Sequence, residues 1–191
     1  VEGREIGEIW GLQTIGIAKS EEEMQAHLSS LPKGGQEAIG SKWSAGDIMY
    51  RDLNGDGKIS KGASTLDDHG DLKVIGNSTP RYFFGIDLNA DWKGFDVRFF
   101  FQGVMKRDYW GKDNFCGYLF GVRGDKDIWH ARGLVEHQNY FRAQAIGIDG
   151  HELPANLDAY YPRPVFKEGA KNQETQSRYL QDASYIRLKN F

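Results

Sequence analysis

The sequence predicts an all-β fold: antiparallel strands forming a segment of a transmembrane β-barrel, with long extracellular loops. Three observations predict it. Two adjacent segments alternate apolar and polar residues over most of their length, broken by Phe83 and Phe100. Each runs to about 10 residues, the length a strand needs to cross a bilayer. The tight turn that joins them contrasts with very long connections on either side.

The hairpin spans 82–105. In its first segment Tyr82, Phe84, Ile86, Leu88, Ala90 and Trp92 share one face, and Gly85, Asp87, Asn89 and Asp91 the other. The second sets Phe95, Val97, Phe99 and Phe101 against Asp96, Arg98 and Gln102. Lys93-Gly94 is the turn, with glycine free to take positive φ. Alternation alone fits two structures: the half-buried hairpin of a soluble sandwich, which is the commoner case, or a lipid-facing strand beside a watery lumen. Length favours the second, since soluble strands most often have about 5 to 6 residues.

A weaker strand is expected near 5–17, where Ile6, Trp10 and Leu12 alternate with Glu8 and Gln13, and a last one over 184–191. Between the strands lie the stretches 18–80 and 106–183, far longer than the connections of a compact domain. Short turns on one side and long loops on the other are the habit of outer-membrane barrels. With Lys93-Gly94 on the periplasmic side, both long stretches face outside. The first holds an expected helix over Ser20–Leu28, with Ser20 as cap and Glu23 as its box partner. The second is rich in aromatics (Tyr109, Trp110, Phe115, Tyr118, Phe120, Trp129, Tyr140, Phe141, Tyr160, Tyr161), expected to anchor the loops to one another more than to stack on sugars.

Composition narrows the function. With 24 Lys and Arg against 27 Asp and Glu, the net charge is −3, without the basic field that nucleic-acid binding needs. No stretch is apolar enough for a spanning helix, and the mean hydropathy of −0.60 does not speak against strands, which alternate. The single cysteine, Cys116, excludes an internal disulfide framework. The five histidines (His27, His69, His130, His137, His151) have no paired-ligand spacing, and no nucleophile elbow, P-loop or dinucleotide motif occurs. No enzyme is expected.

The sharpest local motif is Asp52-Leu53-Asn54-Gly55-Asp56-Gly57-Lys58-Ile59-Ser60, which matches the first nine positions of a calcium loop of the EF-hand type. Hard Ca²⁺ wants six to eight oxygens. The spacing turns the side chains of Asp52, Asn54 and Asp56 and the Lys58 carbonyl toward one point, and Ser60 can add a ligand directly or through water. The twelfth position is Ala63 in place of a carboxylate, so Asp67, Asp68 or Asp71 would have to close the shell, and the expected set is Asp52, Asn54, Asp56, Lys58, Ser60 and Asp71 around a structural Ca²⁺.

Several segments resemble, in order, the C-terminal half of the SusC/RagA family of TonB-dependent outer-membrane transporters. Glu2-Gly3-Arg4-Glu5-Ile6-Gly7 with Trp10-Gly11 and Gly16-Ile17 looks like that family's EGxPxGxxxGYxxxGIF strand. Gly46-Asp47-Ile48-Met49-Tyr50-Arg51-Asp52 leads into the calcium-type loop as its GDIKYxD does. Ile75-Gly76-Asn77-Ser78-Thr79-Pro80, Lys93-Gly94-Phe95-Asp96 with Phe101-Gln102-Gly103, and Ser184-Tyr185-Ile186-Arg187-Leu188-Lys189-Asn190 are similar to its IGNxxP, KGFD…FQG and SYLRLKN segments. Ala63 departs from the family's pattern. The resemblance implies a plugged barrel of roughly 22 strands in the bacterial outer membrane, importing oligosaccharides or peptides. It implies energy from TonB through an N-terminal region, and a plug, that lie outside these residues, and a SusD-like surface lipoprotein as lid. The competing expectation is a soluble calcium-stabilised carbohydrate-binding or adhesin module built from the same strands.

Overall fold

The structure, a computed structural model, describes residues 3–111, 138–148, 150–165 and 169–191. Cys116, His130, His137, Phe115, Tyr118, Phe120 and Trp129 lie outside the described residues. In chain order the first strands are β1 (Glu8–Leu12), β2 (Thr14–Ile17), β3 (Ile48–Tyr50), β4 (Leu72–Asn77), β5 (Tyr82–Trp92) and β6 (Phe95–Met105). The short β7 (Asp108–Tyr109), β8 (Ile146–Ile148), β9 (His151–Leu153) and β10 (Gln181–Asp182) precede β11 (Tyr185–Asn190). One α-helix, α1 (Glu21–Ser29), lies among them. All ladder pairings between these strands are antiparallel.

β5 and β6 pair without a slip from Tyr82↔Met105 at the open end to Trp92↔Phe95 at the turn. Lys93 (φ 45°) and Gly94 (φ 86°) both have positive φ, as a two-residue turn matched to the strand twist requires. β11 adds to the other side of β6, giving the order β11-β6-β5. A bulge between Leu188 and Asn190 places Asn190 opposite Phe100.

The stretch expected as one strand over 5–17 is divided at Gln13, and its halves have different partners: β1 pairs with β4 and β2 with β3. Both partners lie inside 18–80, which reads from sequence as loop. Gln13 holds the junction, its carbonyl accepting from Arg51 N–H at 2.9 Å and its side chain from Lys73 Nζ at 2.7 Å. β4 leads into β5, β6 into β7, and β10 into β11, each across a short interruption. β7 pairs with β10, and Asn77 N–H donates to the Asp108 carboxylate at 2.9 Å, so the ribbon continues past the three-stranded sheet. The interruptions at 78–81, 106–107 and 183–184 lie side by side: Arg81 N–H faces the Lys106 carbonyl at 3.4 Å, and Ala183 N–H donates to the Arg107 carbonyl at 2.8 Å. They form one crease across the strands.

On one side of the crease the loops condense into a body with its own core. Leu12, Met24, Ile48, Tyr50 and Ile59 are fully buried, with Trp43, Phe141, Tyr161 and Tyr179 nearly so. The helix docks by Met24 and by Glu21, which accepts the Ala45 N–H. Ser20 caps it as expected, accepting from Glu23 N–H at 3.2 Å, while Glu23 reaches back one residue further than a capping box would, to Lys19 N–H.

At the centre of this body is an ionic node the motif reading did not single out. The Asp47 carboxylate is wholly buried and accepts from Lys171 Nζ at 2.7 Å, from Arg163 Nε and Nη2 at 3.0 Å each, from Asn172 Nδ2 at 3.0 Å and from Ser44 N–H at 3.0 Å. Lys171, also buried, donates to the carbonyls of Ser41 and Lys42 and lies 4.8 Å above the Trp43 ring. Tyr50 O–H donates to the Lys171 carbonyl at 2.7 Å, and Asn172 Oδ1 accepts from Ile48 N–H. The node thereby ties 41–50 to Arg163 and to 171–172. A buried charge is tolerable when paired and fully hydrogen-bonded, as here. Burial pushes the Asp47 carboxyl up, but the bonds from Arg163, Lys171 and Asn172 outweigh it and hold the group below its usual range.

Candidate functional site

Two features carry chemistry: the bare sheet beyond the crease and the acidic loop. In the sheet, the register puts Tyr82, Phe84, Ile86, Leu88, Ala90 and Trp92 beside Met105, Gly103, Phe101, Phe99, Val97 and Phe95 on one face, and β11 adds Ile186 and Leu188. This face has no charged side chain within the strands, and most of its large residues are exposed, Trp92 at 68% and Phe95 at 71%. The opposite face pairs Asp87 with Arg98 and carries Asn89, Asp91, Asp96, Gln102 and Arg187, with Phe83, Phe100 and Val104 toward its crease end. A soluble sandwich would cover the apolar face; here no described element does. The 11 residues of β5, at about 3.3 Å each and inclined by about 40°, rise roughly 25 Å, the height of the apolar band of an outer-membrane barrel. The Phe84 ring covers Gly103 and the Phe100 ring covers Gly85, so aromatic rings fill the two glycine gaps in the sheet. Among the described residues no helix is long and apolar enough to cross a membrane.

In the acidic loop, Asp52 accepts Gly55 N–H at 2.6 Å through Oδ1 and Gly57 N–H at 2.8 Å through Oδ2. Asn54 Oδ1 accepts from Asp56 N–H, and Asp56 Oδ1 from Lys58 N–H. Gly55 and Gly57 have φ of 74° and 81°, which bend the chain around these side chains. The Gly57 carbonyl accepts from Lys33 N–H and Ile59 N–H donates to Gly35, which fastens the loop to the core. Asp71 is fully buried and spans the base of the loop: Oδ1 accepts Leu53 N–H at 2.7 Å and Oδ2 accepts Ser60 N–H at 2.8 Å. Its first task is therefore to brace the loop. Asp68 turns the other way, accepting Ala63 N–H at 3.0 Å, and supports the neighbouring 61–70 loop. Among the described residues no three Asp, Glu, His or Cys side chains converge as a metal-binding group. The donors on offer are instead mixed, two carboxylates with amide and main-chain oxygens. Each carboxylate oxygen of Asp52 and Asp56 with one hydrogen bond keeps lone-pair capacity for a hard cation.

The aromatics of the second long stretch act mainly as anchors where they are described. Tyr161 and Tyr179 are buried and stack at 6.0 Å, and Tyr160 meets both edge-on at 4.7 and 5.4 Å. His27 is half-buried beside Gln36 and His69 lies 5.6 Å from the Trp10 ring; the two are not in one site.

No family model matches this chain. Its sequence is similar to that of the TonB-dependent receptor P3 of Formosa agariphila, 25% identical over 189 residues. The likeness is to a TonB-dependent receptor. It covers 99% of this chain and 15% of that receptor, so the chain spans a small part of the length of the curated relative it matches. The relative supports the broader of the two family expectations, TonB-dependent receptors. An antiparallel, strand-rich chain with little helix agrees with it.

Proposed function

We propose that these residues are a stretch of wall and outer loops in a TonB-dependent outer-membrane transporter of the SusC/RagA kind, one that imports oligosaccharides or peptides. The observation that carries this reading is the uncovered sheet, apolar on one face over the height of a bilayer and bearing its charged pairs on the other. The likeness to a TonB-dependent receptor supports it. The strands form wall between lipid and lumen. The body beyond the crease stands outside the membrane, where a SusD-like lipoprotein would meet it, while TonB would act through a plug and N-terminal region elsewhere in the whole protein. The residues here contribute no catalytic step.

The test is depth-resolved quenching in the full-length protein, reconstituted in vesicles of brominated phospholipid. A fluorophore on cysteine at position 88 or 97 should be strongly quenched by bromines in mid-chain, and one at 87 or 89 hardly at all. Equal quenching of the two sets, or none, would refute the wall assignment.

For the acidic loop the proposal is a structural Ca²⁺ held by Asp52, Asn54, Asp56 and the Lys58 carbonyl, with Ser60 as a further donor and Asp71 closing the shell while bracing the loop. The donor chemistry fits a hard cation. Titration calorimetry should show Ca²⁺ binding by the full-length protein that Asp52→Asn weakens by at least tenfold; unchanged binding in that variant would place any calcium elsewhere.

A further inference from the structure

The apolar face of the sheet ends at a lysine at both extremes, and each lysine lies over an aromatic ring of that face. At the turn, Lys93 Nζ is 4.8 Å from the Trp92 ring centroid. At the crease, Lys106 Nζ is 5.8 Å from that of Tyr82. Both lysines have positive φ, 45° and 52°, a conformation non-glycine residues seldom adopt. In each case the lysine adjoins the last residue of β6 or β5, so the two mark the ends of the same band. Between them the face carries no charged side chain. Neither forms an ion pair among the described residues, whereas nearby Arg81 pairs with Glu5 and Arg98 with Asp87.

We propose that Lys93 and Lys106 are lipid-headgroup contacts, one for each leaflet, whose ammonium groups bind phospholipid phosphate and fix the height of this wall in the bilayer. This rests on the wall assignment above. An ammonium is a compact charge that needs anionic oxygens around it, and a ring face supplies attraction on one side only. Both ammonium groups lie at the ends of the apolar band, the level where a band of roughly 25 Å gives way to headgroups. Aromatic rings with polar companions are stable at that depth, and the lysine stems lie along the band while their heads reach the phosphate layer. Charge complementarity thus names the occupant: unpaired cations at both rims of a neutral apolar face fit the phosphates, the anionic groups that lie next to the acyl region at those rims.

The experiment uses the full-length protein with ¹⁵N-labelled lysine side chains in phosphatidylcholine vesicles, in phosphate-free buffer, read by ¹⁵N–³¹P dipolar recoupling in the solid state. Lys93→Gln and Lys106→Gln should each remove one ammonium–phosphate correlation and leave the other. The mid-chain quenching at position 88 is measured in the same samples. Quenching with both correlations supports the proposal. Quenching with neither or only one correlation overturns the paired contacts and leaves the wall assignment standing. Loss of quenching in the unsubstituted protein overturns both.

Discussion

At the scale of single residues, Asp47 is the side chain on which the loop body depends most. Its carboxylate is the one acceptor shared by Lys171, Arg163 and Asn172, so Asp47→Ala leaves a buried ammonium without its counter-charge. Breaking a buried pair in this way costs about 3 kcal/mol or more. Lys171→Met costs less, because Arg163 and Asn172 still satisfy the carboxylate. Hydrogen exchange of 41–50 and 169–176 in the full-length protein checks the order: both segments should exchange faster in each variant, and faster in Asp47→Ala. The same node sets a pH dependence. The folded-state value of Asp47 is depressed below the ordinary 3.8, so its stabilisation is fully present above that pH and is lost as pH falls through the lower folded value. A ¹⁹F label on Trp43, which packs over Lys171, should keep one sharp resonance at pH 5 and broaden or shift below about pH 3.8. Loss of the sharp resonance already well above pH 3.8 would show that the node does not hold the loops.

At the scale of elements, the β5–β6 hairpin was legible in the sequence and most of its partners were not. A period of two over both segments and a Lys-Gly turn specify register as well as strand, since slipping by one residue would move every apolar side chain to the ionic face. β4 gives no comparable signal. Leu72 and Val74 alternate with Lys73, but Ile75 and Gly76 break the pattern, and the partner strand β1 is some 60 positions away with a bulge at Ile9 and Trp10. The Asp47 node was invisible for a related reason: Arg163, Lys171 and Asn172 are more than a hundred positions from it, and no local spacing announces the contact. Asp71, by contrast, was legible as a companion of the acidic loop, although only the structure shows it bound to both ends of that loop. The hairpin yields a paired prediction. Leu88→Arg places a cation on the apolar face near mid-depth and should destabilise folding into vesicles by about 2 to 4 kcal/mol. Asn89→Arg, one residue on, lies on the face that the wall assignment turns away from lipid and should cost far less. Urea titration of both full-length variants in phospholipid vesicles measures the difference, and similar costs would mean the two faces share one environment.

At the scale of the whole molecule, the wall and the loop body are stabilised by different means. The body has a core of Leu12, Met24, Ile48, Tyr50 and Ile59 with a polar centre, whereas the sheet has main-chain ladders and an uncovered apolar face. On the wall assignment proposed above, water and denaturant reach the first directly while lipid shields the second. Urea should therefore release the body before the wall. With ¹⁹F labels at Trp43 and Trp92 in the vesicle-embedded protein, the Trp43 transition should come at lower urea; coincident transitions would show one cooperative unit.

The crease at 78–81, 106–107 and 183–184 has a consequence for how such a chain can change over time. An insertion within an unbroken ladder shifts everything downstream of it, but a ladder already interrupted at one level across neighbouring strands can absorb extra residues there. The body beyond the crease is then free to diversify in length and shape, while the three-stranded sheet keeps the same pairing from one descendant to the next.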